Sequence, residues 1–424
     1  MLIANKAPVL YEKMLVIVGF IIFSDAFRTL FSYGQWQLIR MSLYAAVLVV
    51  CGLTVKRVLP TVFAAPVLLV LTVYAVSSVI WSDVPGATIS RSIALVVSTL
   101  FVIYFVSRFS LNEQVRLLTY SMIVMVIASY IFVFVLPSYG RDGSYAWLGV
   151  FEQKNVLGRV MSVSALLFLV YPAKGFRGRT LKWGGYLLAL IMVLQSNSMT
   201  ALIITLTITI LFYAYKATRL GTLPGFALFF TTIVPVSLFA FIAITVDTDD
   251  ILIALGRDPS LTGRTDVWEN LDYAISERPL FGYGYGAFWN MWDQMYGELW
   301  SRRDHWKPTS AHHAYRDVTV EVGKVGFGIF VVATVIMVIQ ALNLVRKTQS
   351  NVGLWPILYI SLVLVLGFSE SFILYNTLFW TLFVATGYAL GKVSLLGGDV
   401  GEIIEESPEQ QTTQPSFVPA YANR

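Results

Sequence analysis

The chain is poor in cysteine, in histidine and in charge. It has one cysteine, Cys51, and three histidines, His305, His312 and His313, in 424 residues. A lone cysteine excludes an intramolecular disulfide and a thiolate cluster, and together with so few histidines it argues against a protein-built zinc site. Charged residues make up 13%, about half the ~25% of a soluble domain. No phosphate-cradling G-x-x-x-x-G-K-[ST] run is present, so direct use of ATP is not expected. The net charge of +5 could suit nucleic acid. The basic residues are scattered in pairs between apolar runs, however, which is the pattern of membrane topology, and no nucleic-acid partner is expected. The apolar run Met14–Phe23 continues into Ser24-Asp25-Ala26-Phe27-Arg28 and meets a second run soon after. It therefore reads as a retained helix and not as a cleaved signal.

Apolar residues, at 57%, dominate what is there. A bilayer-crossing helix needs roughly 20 of them in succession. Runs at 14–31, 38–55, 61–80, 89–107, 117–137, 156–172, 183–195, 199–215, 225–246, 319–345, 352–368 and 370–391 meet that need or approach it. The seventh and eighth are separated only by Ser196-Asn197-Ser198. The expected fold is an all-α membrane protein of about twelve transmembrane helices with one large periplasmic loop containing short helices. Its parts are helices one to nine in 1–246, the loop in 247–318, helices ten to twelve in 319–391 and a tail in 392–424.

Charge sets the orientation. With the N-terminus inside, the inner loops hold twelve basic residues: Lys56, Arg57, Arg108, Arg116, Lys174, Arg177, Arg179, Lys182, Lys216, Arg219, Arg346 and Lys347. The short outer loops hold six: Arg28, Arg40, Arg91, Arg141, Lys154 and Arg159. The positive-inside rule then places both termini in the cytoplasm and the large loop outside, and it supports counting the seventh and eighth runs separately. The tail, acidic and then rich in Gln, Thr and Pro, lacks the apolar surface to fold and is expected to be disordered.

The large loop is where chemistry is expected. Five of the eleven tryptophans lie there (Trp268, Trp289, Trp292, Trp300, Trp306), with Arg257, Arg264, Arg278, Arg302, Arg303 and Arg316. An interfacial aromatic belt with snorkelling arginines would account for many such residues. Three elements ask for more. In Gly263-Arg264-Thr265-Asp266-Val267-Trp268, Thr265 suits a cap, Asp266 a first turn, and Val267, Trp268, Leu271 and Ile275 an apolar stripe. A cation at a helix start is mildly unfavourable, but Arg264 with the free N–H groups there makes a site for a phosphate; the plainer alternative is a solvent-facing arginine. Arg278, at the other end of the same helix, reads as structural. The run Gly282-Tyr283-Gly284-Tyr285-Gly286 reads as a tight backbone turn presenting tyrosines, since no strand–helix unit surrounds it. In Ser310-Ala311-His312-His313-Ala314-Tyr315-Arg316-Asp317, helical spacing would put His312 and Arg316 on one face and His313, Asp317 and Glu321 on the next. A histidine there is a candidate base.

With these residues in view the chain resembles the O-antigen ligase and polysaccharide-polymerase superfamily (Wzy-type), in particular its ExoQ-like exopolysaccharide polymerases. The carriers are Gly263-Arg264-Thr265-Asp266-x-Trp268, Arg278-Pro279-Leu280-x-Gly282-x-Gly284-x-Gly286, and His312 followed by Gly323 and Gly326. Three departures stand out. His313 occupies a position the family fills with Asn, Ser or Gln, Trp268 replaces a leucine, and Ser198-Met199-Thr200 lacks the arginine that ligases often carry there.

The resemblance implies polymerisation of lipid-linked oligosaccharide repeat units at the periplasmic face. The transfer would be metal-independent and cofactor-free, from an undecaprenyl-diphosphate-linked oligosaccharide, with membrane lipids, a chain-length regulator and export proteins as partners. It implies that Arg264 meets the diphosphate and His312 the acceptor hydroxyl. Arg257, Arg316 and Lys154 are further candidates for the diphosphate, and Glu152, Asp142 and Asp317 alternative bases. Tyr283, Tyr285, Trp289 and Trp292 would stack on sugar rings. Two rivals remain: a ligase handing the glycan to lipid A core, and a polytopic transporter, which should show internal repeats and paired intramembrane charges that the sequence does not display.

Overall fold

The computed structural model describes residues 9–219, 264–301 and 308–395. The expected ninth span (225–246), Arg257, Arg302, Arg303, Trp306 and the tail from 396 lie outside the described residues. Among the described residues the only β feature is an isolated bridge between Arg141 and Trp147.

Helices stand where apolar runs were expected, and polar residues set their starts. The first five are α1 (Leu10–Phe23), α2 (Tyr33–Leu53), α3 (Val55–Val62), α4 (Pro66–Ser77) and α5 (Pro85–Arg108). Then come α6 (Leu111–Val135), a single turn α7 (Pro137–Gly140), α8 (Lys154–Val170), α9 (Gly175–Gln195) and α10 (Met199–Arg219). Ser32 with Gln35 and Ser110 with Glu113 form reciprocal capping boxes at α2 and α6, satisfying N–H groups that a helix start leaves free. Small residues let α8, α9 and α10 approach closely: a Cβ on Gly158 would lie 2.8 Å from that of Ala201, and one on Gly185 would enter the Phe168 ring. The seventh and eighth runs are two helices, with Asn197 at φ 52 turning the chain between them.

The loop elements are α11 (Arg264–Glu277) and α12 (Phe288–Ser301), followed by α13 (Ala314–Lys347), α14 (Trp355–Leu366) and α15 (Leu378–Leu395). Among the described residues six helices (α2, α5, α6, α10, α13 and α15) are long and apolar enough to cross a membrane, or seven with α3 and α4 as one bent span.

Two expected spans are corrected. The run 61–80 breaks into α3 and α4 at an angle of 94°, because Pro66 lacks an N–H and excludes helical geometry before it. The run 370–391 is helical only from Leu378; residues 367–377 form an irregular connection. Its carbonyls are claimed from elsewhere: Gly367 accepts from the Ala314 N–H, Leu374 from the Tyr285 hydroxyl and Asn376 from Arg40.

The glycine motifs of the sequence meet in one interlock. Gly323 breaks α13 with φ 71 and ψ −179, a conformation open essentially to glycine alone. That break frees backbone groups on both sides. Tyr283 and Gly284 donate to the Val320 and Glu321 carbonyls, while Lys324 and Val325 donate to those of Pro279 and Leu280. The Arg-Pro-Leu-x-Gly-x-Gly-x-Gly run is thus clamped along the start of α13, and Gly282, Gly284 and Gly286 all have positive φ there.

The loops expected on one side of the membrane converge at one end of the bundle. Phe27 donates to Val150, Trp147 to Gln195 and Asp83 to Tyr283 through the backbone. At the opposite end Glu12 accepts from Arg108 at 2.7 and 2.8 Å and from Tyr104 at 3.0 Å, and Lys392 donates to the Val106 carbonyl.

Candidate functional site

The site sits on a small aromatic core. Along α12, Phe288, Trp289, Trp292 and Tyr296 make a helical stripe that packs on Val267, Leu271 and Ala274 of α11. Asp317, 1% exposed, accepts from Trp289 Nε1 at 3.0 Å and from the Ala311 N–H at 3.1 Å. One buried carboxylate thereby ties α12, the start of α13 and the segment before it. Trp268 of α11 donates to the Ala311 carbonyl at 2.9 Å.

Held on both sides in this way, the chain turns at His312, whose φ is 49. His313 caps α13, its ring nitrogen accepting from the Arg316 N–H. The expectation that His312 and Arg316 share a helix face is therefore corrected, because the helix begins only at Ala314. Arg316 instead meets Asp272 at 3.0 and 3.2 Å and lies 4.8 Å above the Trp268 ring. These contacts fasten α11 to α13.

His312 turns towards the 367–377 connection. Its Nδ1 lies 3.7 Å from Glu370 Oε2, and the same oxygen is 2.6 Å from Arg159 Nη1 on α8. Glu370 is 9% and Arg159 14% exposed, whereas His312 is 32% exposed. The acid and the arginine therefore stand behind an accessible imidazole. The arrangement is that of a base with an orienting carboxylate, itself fixed by a cation. Ser371 next door accepts from the His313 N–H at 3.2 Å. Burial, with help from Arg316, pushes the His313 imidazole down to about 4, so it stays neutral near pH 7 and serves as a cap. Of the two histidines, His313 is committed to the cap, and His312 faces Glu370.

The other expected residues fall as follows. Arg264 is the first residue of α11, with Asp266 in its first turn, so the helix starts slightly earlier than the cap at Thr265 suggested. Trp268, one turn on, touches both Ala311 and His313. The head of α11 thus lies about 6 Å along the axis from a residue bonded into the His312 turn. Lys154 opens α8, 3.6 Å from Asp142. Asp142 is held below the ordinary carboxylate range, first by the Ser144 hydroxyl, which makes it a weaker base. Glu152 is paired with Arg28 at 3.3 Å. Asp317 is spent on Trp289 and Ala311. Arg278, read as structural, binds Asp83 at 2.8 Å and covers Tyr283 at 4.6 Å.

Four aromatic expectations are corrected. Tyr283, Tyr285, Trp289 and Trp292 are buried, at 3%, 1%, 5% and 0% exposure, and present no open face to a sugar. Tyr283 bonds the Ala274 carbonyl, its hydroxyl pushed up to about 12 by burial. The spacing of Phe288, Trp289, Trp292 and Tyr296 is itself the signal of a core stripe. Sequence reasoning also passed over Glu370 and Arg159 as site residues. They lie 211 positions apart in the chain, and no local pattern connects them.

Strain marks the same end of the bundle. All six described non-glycine residues with positive φ lie there: Asp25, Phe27, Tyr145, Asn197, His312 and Leu374. Such conformations persist only where the surroundings over-determine them, and they cluster at functional sites.

Comparison with known proteins agrees with the motifs. Residues 184–331 match the family model described as O-Antigen ligase. Over 302 residues the chain is 26% identical to the exopolysaccharide production protein ExoQ of Rhizobium meliloti (strain 1021), a match that takes in 66% of this chain and 65% of that protein. The matched family region includes Arg264, the glycine run, His312, Gly323 and Gly326. The resemblance to O-antigen ligases and ExoQ-like proteins is thus borne out, and the chain is a helical membrane protein similar to them over the matched regions.

Proposed function

We propose that the protein polymerises lipid-linked oligosaccharide repeat units into exopolysaccharide at the periplasmic face of the inner membrane. The observation that carries this reading is the accessible His312 backed by Glu370 and Arg159, on the same loop layer as the α11 head that bears Arg264. The excess of basic residues at the opposite end supports placing this end outside.

In the reaction an acceptor hydroxyl attacks the anomeric carbon of a glycan joined to undecaprenyl diphosphate. The new C–O bond forms as the old one to the diphosphate breaks, and undecaprenyl diphosphate leaves with the electron pair. His312 takes the hydroxyl proton, and Glu370, facing Nδ1, stabilises the imidazolium. Arg264 and the first N–H groups of α11 meet the charge that develops on the diphosphate. Lys154, and Arg257 outside the described residues, are further candidates for that role. Arg316 is engaged with Asp272 and acts as a fastener. Activation resides in the diphosphate itself, so cations suffice to assist its departure.

Arg264→Ala and His312→Ala are expected to lower polymer formation by at least about a hundredfold while the protein stays in the membrane at its normal level. Normal polymer from both variants would refute the assignment. Falling protein level would reveal a structural role instead. The family model favours one second reading, a ligase passing finished glycan to lipid A core. A deletion strain separates them: loss of a polymerase leaves single repeat units, whereas loss of a ligase leaves long lipid-linked chains.

A further inference from the structure

Beside the His312–Glu370–Arg159 cluster a cavity of about 220 Å³ opens between the end of α1, the start of α8 and the 367–377 connection. Its polar wall is Asp25, Arg28, Glu152, Gln153, Arg159 and Ser371, and Phe151, Phe372 and Phe379 add apolar surface. The two carboxylates and two guanidinium groups cancel in formal charge. Arg28 and Glu152 are paired with each other, and Asp25 accepts from Trp36 Nε1 at 3.1 Å. Thr377, also on the wall, has a hydroxyl with no hydrogen-bond partner among the described residues.

We infer that this cavity is a subsite for one neutral monosaccharide ring, the terminal sugar of the acceptor glycan. The inference rests on the polymerase reading above and deepens it. Hydroxyl groups both donate and accept, and a wall of alternating carboxylates, guanidinium groups and an amide serves both directions. Aromatic rings beside such polar groups suit the apolar faces of a pyranose. A diphosphate finds no net positive charge there, since Asp25 and Glu152 balance Arg28 and Arg159. The volume lies below the about 300–1,000 Å³ of typical small-molecule pockets, which fits a single ring. Arg159 and Ser371 belong to this wall and also touch Glu370 and His313. The cavity wall is thereby coupled to His312 through Arg159 and Glu370.

The test uses the full-length protein in isolated membranes, with its own lipid-linked repeat unit as substrate. Gln153 is exposed at the start of α8 and its side chain makes no cap bond, so Gln153→Ala leaves the helix intact. Val156→Trp fills the cavity from the first turn of α8. Gln153→Ala is expected to raise KM about tenfold, the effect of losing one good hydrogen bond, with kcat within about twofold. Val156→Trp should lower kcat/KM further, and His312→Ala should abolish turnover at every substrate concentration. If Gln153→Ala leaves KM unchanged while His312→Ala is inactive, the subsite is refuted and the polymerase reading stands. If all three variants polymerise normally, the His312 site and the subsite both fall; if the unaltered protein makes no polymer from that substrate, the polymerase reading itself fails.

Discussion

Replacing Gly323 by alanine would set a Cβ far inside contact distance of the Leu280 carbonyl, on a residue with φ 71 and ψ −179. The backbone conformation alone costs a non-glycine residue about 1–3 kcal/mol. Relief requires Leu280 to retreat, and with it the segment that exchanges four backbone hydrogen bonds with α13. At roughly 0.5–1.5 kcal/mol each, losing these adds about 2–6 kcal/mol. That total is a large share of the stability of a typical domain, of order 5–15 kcal/mol. Gly328, five residues along the same helix, is the control: nothing lies within 4 Å of a Cβ placed there. Alanine at Gly328 should be neutral or stabilising by about 0.5–1 kcal/mol. Thermal unfolding of the two detergent-solubilised variants, followed by tryptophan emission, checks the contrast, since Trp289 and Trp292 lie in the core that the interlock supports. Equal melting temperatures for Gly323→Ala and Gly328→Ala would refute the interlock as described.

Other consequences follow from the same geometry. Glu370→Gln removes the carboxylate facing His312 and the ion-pair partner of Arg159; polymer formation should fall at least about tenfold, and a pH–rate profile of kcat should shift its acidic limb to lower pH as the imidazolium loses support. An unshifted profile would remove Glu370 from the mechanism. His313 has its folded-state value pushed down, so the unfolded chain binds the proton first. Stability is full above about pH 6.5 and is lost as pH falls towards 4, by an amount of order 3 kcal/mol. His313→Asn keeps a capping side chain without the titration, so its unfolding midpoint should fall less over that window; parallel curves would sink the argument. Arg316→Lys cannot reproduce the two-pronged contact with Asp272 or the stacking on Trp268, and should lower the melting temperature by a few degrees with little change in KM.

Much of the helical plan was legible because apolar runs long enough to cross a bilayer leave few alternatives. The breaks were less so. Pro66 carried a local signal, whereas the irregular stretch around Glu370 exists because Ala314, Tyr285 and Arg40, all remote in sequence, claim its carbonyls. The site divided in the same way. His312 stood out through its spacing to Gly323 and Gly326, and the structure shows one reason for those glycines: Gly323 lets the loop layer lock onto a span. Arg159 looked like a charge at a helix edge until Glu370 met it. The loop tryptophans and tyrosines suggested sugar contact by composition, yet composition does not tell an aromatic in a core from one on a surface. Only their register along α12 does.

The left-handed turn at His312 has an evolutionary consequence. An L-residue there gives up roughly 1–2 kcal/mol that glycine would not, and asparagine tolerates the turn better than most residues. Selection for robustness alone would drive the position away from histidine. A library randomised at residue 312 and sorted for heat resistance should therefore enrich glycine and asparagine, and the enriched clones should make no polymer. On the proposed role of His312, a histidine at such a place marks a position where activity outweighs durability.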